Sequence, residues 1–75
     1  MPKLPLLSGK ELIKALKKIG FVELRQKGSH VSLKKTTNEG SIGCVVPMHK
    51  ELAIGTLKGI LKQAQVTDDE LIENI

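Results

Sequence analysis

The chain has almost no aromatic residues and only one cysteine. Among its 75 residues, Phe21 is the sole aromatic, and there is no Trp or Tyr. Proteins that bind single strands without sequence preference usually stack bases on several aromatic rings, so contacts to phosphate and sugar are the better expectation. With Cys44 alone no disulfide forms within the chain, and one Cys with two His is too few for a closed zinc site. We expect Cys44 to be a small core residue.

Long apolar runs are also missing. No segment is long and apolar enough to span a bilayer, and residues 1–7 lack the apolar stretch of a signal peptide. We therefore expect a cytoplasmic protein that does not associate with membranes. The length predicts a single domain over residues 1–75.

Basic residues occur throughout residues 1–62 and are absent from residues 63–75. All twelve Lys and Arg lie in residues 1–62, with only four acids, which gives that part a net charge of +8. Residues 63–75 hold the other four acids and no base. A strongly basic body favours a polyanionic partner. Charge alone is equally consistent with a merely soluble, lysine-rich surface.

Helix signals flank a central region of strands. Ser8 and Glu11 form a capping-box pattern, and Gly20 is suited to end the helix that follows. The apolar face of this helix is predicted to comprise Leu12, Ile13, Leu16 and Ile19. A second helix opens at Gly55-Thr56, with an apolar stripe of Ile54, Leu57, Ile60, Leu61 and Ala64. A capping pattern at Thr67 predicts a short acidic helix over 67–75 that buries Leu71, Ile72 and Ile75.

Three strands are predicted between the helices. Residues 21–27 place Val22 and Leu24 on one face and Glu23, Arg25 and Lys27 on the other. Gly28-Ser29 suits a tight hairpin turn. In residues 30–35, Val31 and Leu33 face inward, whereas His30, Ser32 and Lys34 face solvent. A polar loop over 36–40 leads to a third strand over 41–46.

The predicted order is therefore α-β-β-β-α, an α+β fold. A three-stranded antiparallel sheet with two helices on one face is the layout of double-stranded-RNA-binding domains. Those domains read RNA by shape and by contacts to phosphate and 2′-hydroxyl groups, which needs no aromatic stacking. This likeness concerns the fold and does not by itself establish a function.

Five short segments, each weak alone, become specific through their shared order and spacing. They are Leu7-Ser8-Gly9-Lys10-Glu11-Leu12, Gly20-Phe21, Arg25-Gln26-Lys27-Gly28-Ser29-His30, Val46-Pro47-Met48-His49 and Gly55-Thr56-Leu57-Lys58-Gly59-Ile60-Leu61. From about Leu6 to about Val66 the chain resembles the HicA toxins of bacterial and archaeal toxin–antitoxin pairs. The resemblance implies a toxin of a type II system that cleaves mRNA without a metal or other cofactor. It also implies an acidic HicB-type antitoxin as partner, and it makes His30, in the Gly-Ser-His motif, the catalytic residue.

The chemistry of the residues agrees with that role for His30. Cutting RNA without a metal requires a proton to leave the 2′-hydroxyl and another to reach the departing 5′-oxygen, and histidine can exchange protons near neutral pH. Gly28 allows the backbone to approach a phosphate, and Ser29 adds a hydroxyl donor. The cations predicted to offset phosphate charge are Arg25, Lys27, Lys34 and Lys58.

Several alternatives stay open from sequence. His49 is a candidate second proton-transfer group, a phosphate contact, or simply a polar residue of the connector. The basic residues of the first helix (Lys10, Lys14, Lys17 and Lys18) either form a solvated face or include at least one contact to the RNA backbone. The main alternative function is a non-catalytic module of the same fold that binds double-stranded RNA. An adaptor for an acidic protein fits the charge but assigns no task to His30.

Overall fold

The computed structural model describes residues 4–75 and confirms the α+β fold in the predicted order. Its elements are α1 (Gly9–Ile19), β1 (Val22–Lys27), β2 (His30–Thr37), β3 (Gly40–Pro47), α2 (Ile54–Ala64) and α3 (Asp68–Glu73). The strands form one antiparallel sheet in the order β1-β2-β3, so β2 is hydrogen-bonded on both sides. None of the described helices is long and apolar enough to cross a membrane.

Local signals define α1 as the sequence predicts. The Ser8 hydroxyl accepts the Glu11 N–H at 3.0 Å, and the Glu11 carboxylate accepts the Ser8 N–H at 2.9 Å. Hydrogen bonding to the Glu11 carboxylate, first from the Ser8 N–H and then from the Ser8 side chain, favours the ionised form and lowers the pKa of Glu11. Gly20 ends the helix with φ +119°, a left-handed conformation that suits glycine. On the predicted apolar face, Ile19 is only partly buried.

The sheet has one covered face and one bare face. Val31, Leu33, Cys44 and Val46 alternate with exposed residues along β2 and β3 and are buried. They share one core with the buried sides of α1 and α2, so both helices lie on the same face of the sheet. The predicted stripe of α2 is buried except for Ile54, which is 39% exposed. We call the opposite surface of the sheet the helix-free face.

The simple alternation predicted for β1 is wrong because the strand contains a bulge at Leu24. Val22 pairs with Lys34 and Glu23 with Leu33, but the next pair joins Arg25 to Ser32. The extra residue reverses the alternation, so Val22 shares a face with Arg25 and Lys27. All six residues of β1 are exposed, since the helices pack against β3 at the other edge of the sheet.

The turn of the β2–β3 hairpin is shorter than the sequence predicts. The loop predicted over 36–40 is reduced to the turn Asn38-Glu39, because Thr37 pairs with Gly40.

In α3, Leu71 is fully buried, but Ile72 is only partly buried and Ile75 is 51% exposed. The prediction that α3 buries Ile75 is therefore wrong. The helix ends at Glu73, before that side chain could turn inward.

Candidate active site

The β1–β2 hairpin positions His30 through a two-residue turn. Lys27 pairs with His30 across the hairpin, leaving Gly28 and Ser29 as the turn. Gly28 has φ +60°, which glycine adopts at little cost. The side-chain amide of Gln26 donates to the Gly28 carbonyl at 3.0 Å. The turn is thus held by its backbone conformation and by a side chain of the preceding strand.

His30 is exposed on the helix-free face, as strand alternation predicts. Its neighbours across the sheet are Lys27 on β1 and Pro47 on β3. The next row of that face joins Arg25, Ser32 and Val45 across the three strands. The structure therefore brings His30 together with the two cations predicted to accompany it from β1.

Lys34 lies in the third row of the same face, between Val22 and Gly43. Ser32, between His30 and Lys34, is half-buried and presents a hydroxyl to the same surface. Sequence reasoning assigned Ser32 no role, although alternation along β2 already placed it beside His30. The polar residues of the helix-free face form a strip along β1 and β2, from Lys27 and His30 to Lys34.

Apolar side chains adjoin this strip. Val22 is 62% exposed, Leu24 59% and Val45 42%, which is unusual for large aliphatic residues. A shallow groove across the sheet is lined by Leu24 and Val45 together with Ser32, Lys34, Ser41 and Gly43. The helix-free face therefore combines a proton-transfer group, cations and uncovered apolar surface.

The turn of the β1–β2 hairpin is also bonded to the connector after β3. The Ser29 carbonyl accepts the Met48 N–H at 2.6 Å. One residue further along, the His49 carbonyl accepts the Gly9 N–H at 2.9 Å. His49 is exposed, and its backbone turns toward the start of α1. Ser29 and His49 thus lie in adjoining segments.

Lys58 does not join the strip. It is on α2, and its ammonium group lies 3.6 Å from the Asp68 carboxylate at the start of α3. Both side chains are substantially exposed, so this ion pair is weak.

Cys44 occupies the core, as expected. It is 4% exposed, and burial raises the pKa of its thiol to about 11. At neutral pH it is therefore a packed thiol with little thiolate character. Within residues 4–75, no three His, Cys, Asp or Glu side chains cluster closely enough to hold a metal ion.

Comparison with known families identifies the chain. A family model described as the HicA toxin of bacterial toxin–antitoxin systems matches residues 9–66, from the start of α1 to just beyond α2. Comparison with curated proteins gives no match. The matched segment contains the whole sheet, both large helices and every residue of the strip beside His30. This chain belongs to the HicA toxin family, and membership implies an antitoxin as its partner.

Proposed function

We propose that the protein is an endoribonuclease that cleaves mRNA without a metal ion, with His30 as general acid and base. The observation that carries the proposal is the exposed His30 side chain beside Lys27, one row from Arg25 and Ser32 on an uncovered sheet face. An imidazole next to cationic side chains combines a proton-transfer group with charge stabilisation for a phosphate.

The reaction is a transesterification within the RNA. The 2′-oxygen attacks the adjacent phosphorus as its proton leaves, and the bond from phosphorus to the 5′-oxygen breaks. The products are a 2′,3′-cyclic phosphate and a 5′-hydroxyl that takes up a proton. In the proposed mechanism His30 takes the proton from the 2′-hydroxyl and, as the imidazolium so formed, gives it to the departing 5′-oxygen, while Arg25 and Lys27 offset the charge that develops on the phosphorane. Gly28 and Ser29 would position the phosphate through the turn backbone and the Ser29 hydroxyl.

Cleavage assays in EDTA test the proposal. We expect the wild-type protein to cut purified mRNA in the presence of EDTA. We also expect its expression to arrest cell growth. His30→Ala should bind the same RNA with an affinity within about threefold of wild type, because one exposed side chain among many basic residues adds little to phosphate-driven binding. Its cleavage should fall by about 100-fold or more, the usual contribution of a general acid or base. Activity that disappears in EDTA and returns with magnesium would refute the metal-free mechanism.

The alternative is a non-catalytic module that binds double-stranded RNA. One observation favours it: among the described residues, no side chain is hydrogen-bonded to the His30 imidazole. Catalytic histidines are often oriented by such a partner. In many enzymes that hydrogen bond becomes short and well aligned after the substrate has bound. The same assay separates the two functions, since a binding module leaves the RNA intact both as wild type and as the His30→Ala variant.

We also propose that an acidic HicB-type antitoxin inhibits the toxin by covering the helix-free face. The exposed apolar residues Val22, Leu24 and Val45 support a protein partner, because they offer surface to bury rather than contacts for phosphate. Arg25, Lys27 and Lys34 around them complement acidic side chains. A partner seated there would exclude RNA from His30.

A further inference from the structure

A second group of basic side chains lies where the start of α1 meets the connector between β3 and α2. A shallow cavity there is lined by Lys10 from α1 and by His49 and Lys50 from the connector, with Ser8 and Met48. Lys10 is far in sequence from His49 and Lys50, and all three side chains are exposed. None of them belongs to the strip beside His30.

The backbone holds the two segments tightly together. Besides the bond from Gly9 to His49, the Leu52 N–H donates to the Leu7 carbonyl at 2.7 Å. A Cβ atom at Gly9 would collide with the Pro47 carbonyl oxygen and approach the Met48 Cα to 3.0 Å. Only glycine allows this approach, so Lys10 is fixed beside the connector that bears His49 and Lys50. The cluster is therefore a consequence of backbone packing rather than of flexible side chains meeting by chance.

The same connector links this cluster to the proposed catalytic turn. Met48 separates His49 from β3, and its N–H is bonded to the Ser29 carbonyl beside His30. His49 thus lies two residues beyond Pro47, which pairs with His30, so the cluster is next to the row that holds His30. Met48 also lines a groove that continues along α1 past Lys14 and Lys17.

The charges of the cluster are free for a ligand. Within residues 4–75 the ion pairs are Lys17 with Glu23 and Lys58 with Asp68, and neither involves this cluster. Of the nearby carboxylates, Glu11 accepts the Ser8 N–H and keeps its negative charge, but it forms no ion pair with a residue of the cluster. Glu51 is exposed and follows Lys50 in the chain.

We propose that Lys10, His49 and Lys50 form a second phosphate site, which holds a backbone phosphate adjacent to the one cleaved at His30. This inference rests on the proposed function. It assigns His49 to binding the phosphate rather than to transferring a proton. Two ammonium groups and an imidazole N–H are donors suited to the oxygens of a phosphodiester.

Single-position replacement of phosphates tests the site. An RNA with a mapped cleavage position is made with a 2′-deoxy nucleotide there, so that it binds without being cut. Each phosphate near that position is replaced in turn by a neutral methylphosphonate. We expect wild-type protein to lose affinity at one flanking position in particular, and Lys10→Gln/Lys50→Gln to be insensitive to replacement there. The double variant should also show a salt dependence of binding that is shallower by about one phosphate contact.

Lys18→Gln/Lys62→Gln is the matched control, since it removes the same charge from exposed helix positions outside the cluster. It should keep the wild-type pattern of methylphosphonate sensitivity. On cleavable RNA, Lys10→Gln/Lys50→Gln and His49→Gln should raise KM and leave kcat within about twofold, as loss of uniform binding does. The site is refuted if the double variant keeps every wild-type sensitivity, or if His49→Gln lowers kcat while binding is unchanged. Because the scan measures binding alone, it can also be run on an RNA chosen only for tight binding, with every phosphate replaced in turn, and it then gives its answer even if the protein does not cut RNA.

Discussion

Gly9 is the residue at which an added methyl group would disturb the most structure. Its Cβ would meet backbone atoms of Pro47 and Met48, which cannot move aside as a side chain can. We expect Gly9→Ala to lower the free energy of unfolding by about 1–3 kcal/mol, because α1 must shift from the connector. Urea denaturation followed by circular dichroism measures the change.

Gly59 on α2 provides the matched comparison. A Cβ atom there would meet nothing within 4 Å. Since alanine favours helix over glycine by up to about 1 kcal/mol, Gly59→Ala should leave stability unchanged or increase it. Equal effects at Gly9 and Gly59 would contradict the close approach described for Gly9.

Two substitutions at Gly28 distinguish a need for its backbone conformation from a need for the open space beside it. Its φ of +60° is costly for most residues, but asparagine tolerates it, and a side chain there has open space. If the turn needs only the backbone conformation, Gly28→Asn should cleave RNA like wild type, and Gly28→Ala should lose about 1 kcal/mol of stability. If a phosphate approaches the bare backbone, both variants should raise KM. We expect the second result, measured by steady-state cleavage, because the protein itself does not fill the space beside Gly28.

At the scale of elements, the acidic helix α3 forms an ion pair with the basic helix α2. The family match ends at residue 66, before α3 begins at Asp68, so the ion pair between Asp68 and Lys58 joins an element outside the matched segment to one inside it. While the pair forms, Asp68 competes with any phosphate for Lys58. The acidic end of the chain thus offsets part of the positive charge of α2.

Asp68→Asn should therefore strengthen RNA binding at low salt, by about fivefold at most, since an exposed ion pair contributes about 0–1 kcal/mol. The difference should vanish at high salt, where such pairs are screened. Glu73→Gln, at the other end of α3, removes the same charge without touching the pair and should change binding less. Titrations of RNA at two salt concentrations decide the matter, and equal effects of the two substitutions would exclude a specific role for Lys58.

The elements also differ in how far the sequence predicts them. The helix α1 is predicted closely because its cap, its apolar period and its terminal glycine are all local signals. The bulge at Leu24 is not, since nothing in residues 22–27 distinguishes a bulged strand from a regular one. The bulge follows from pairing with β2, which depends on residues outside the strand. The predicted turn at Gly28-Ser29 already places Lys27 opposite His30, whereas the partner of Lys34, which lies beyond the bulge, could not be predicted.

At the scale of the whole molecule, the polar strip of β1 and β2 is predictable in part. Alternation along β2 alone establishes that His30 and Lys34 share a face. The meeting of Lys10 with His49 and Lys50 required the tertiary structure, because it depends on the packing of Gly9 against Pro47. Contacts between distant segments are the part of a site that local patterns do not encode.

The helix-free face leads to a prediction about the antitoxin. Replacing exposed Leu24 with serine should weaken antitoxin binding about tenfold, since a buried leucine contributes at least about 1.5 kcal/mol. Ile54→Ser, which alters an exposed aliphatic residue at the start of α2, is the control and should bind like the unmodified protein. Calorimetry in a His30→Ala background measures both. An antitoxin that distinguishes Ile54 but not Leu24 would dock on the helices instead.

The central position of β2 has a consequence for how the toxin can be controlled. Strands paired on both sides exchange their amide hydrogens slowly, and often only when the whole domain unfolds. The strand that carries His30 is of this kind. We therefore expect its amides to be the last to exchange with deuterium, and β1, exposed along its whole length, to exchange earlier. Local melting is then a poor switch for His30, and inhibition must come from outside the domain, by a surface that covers it.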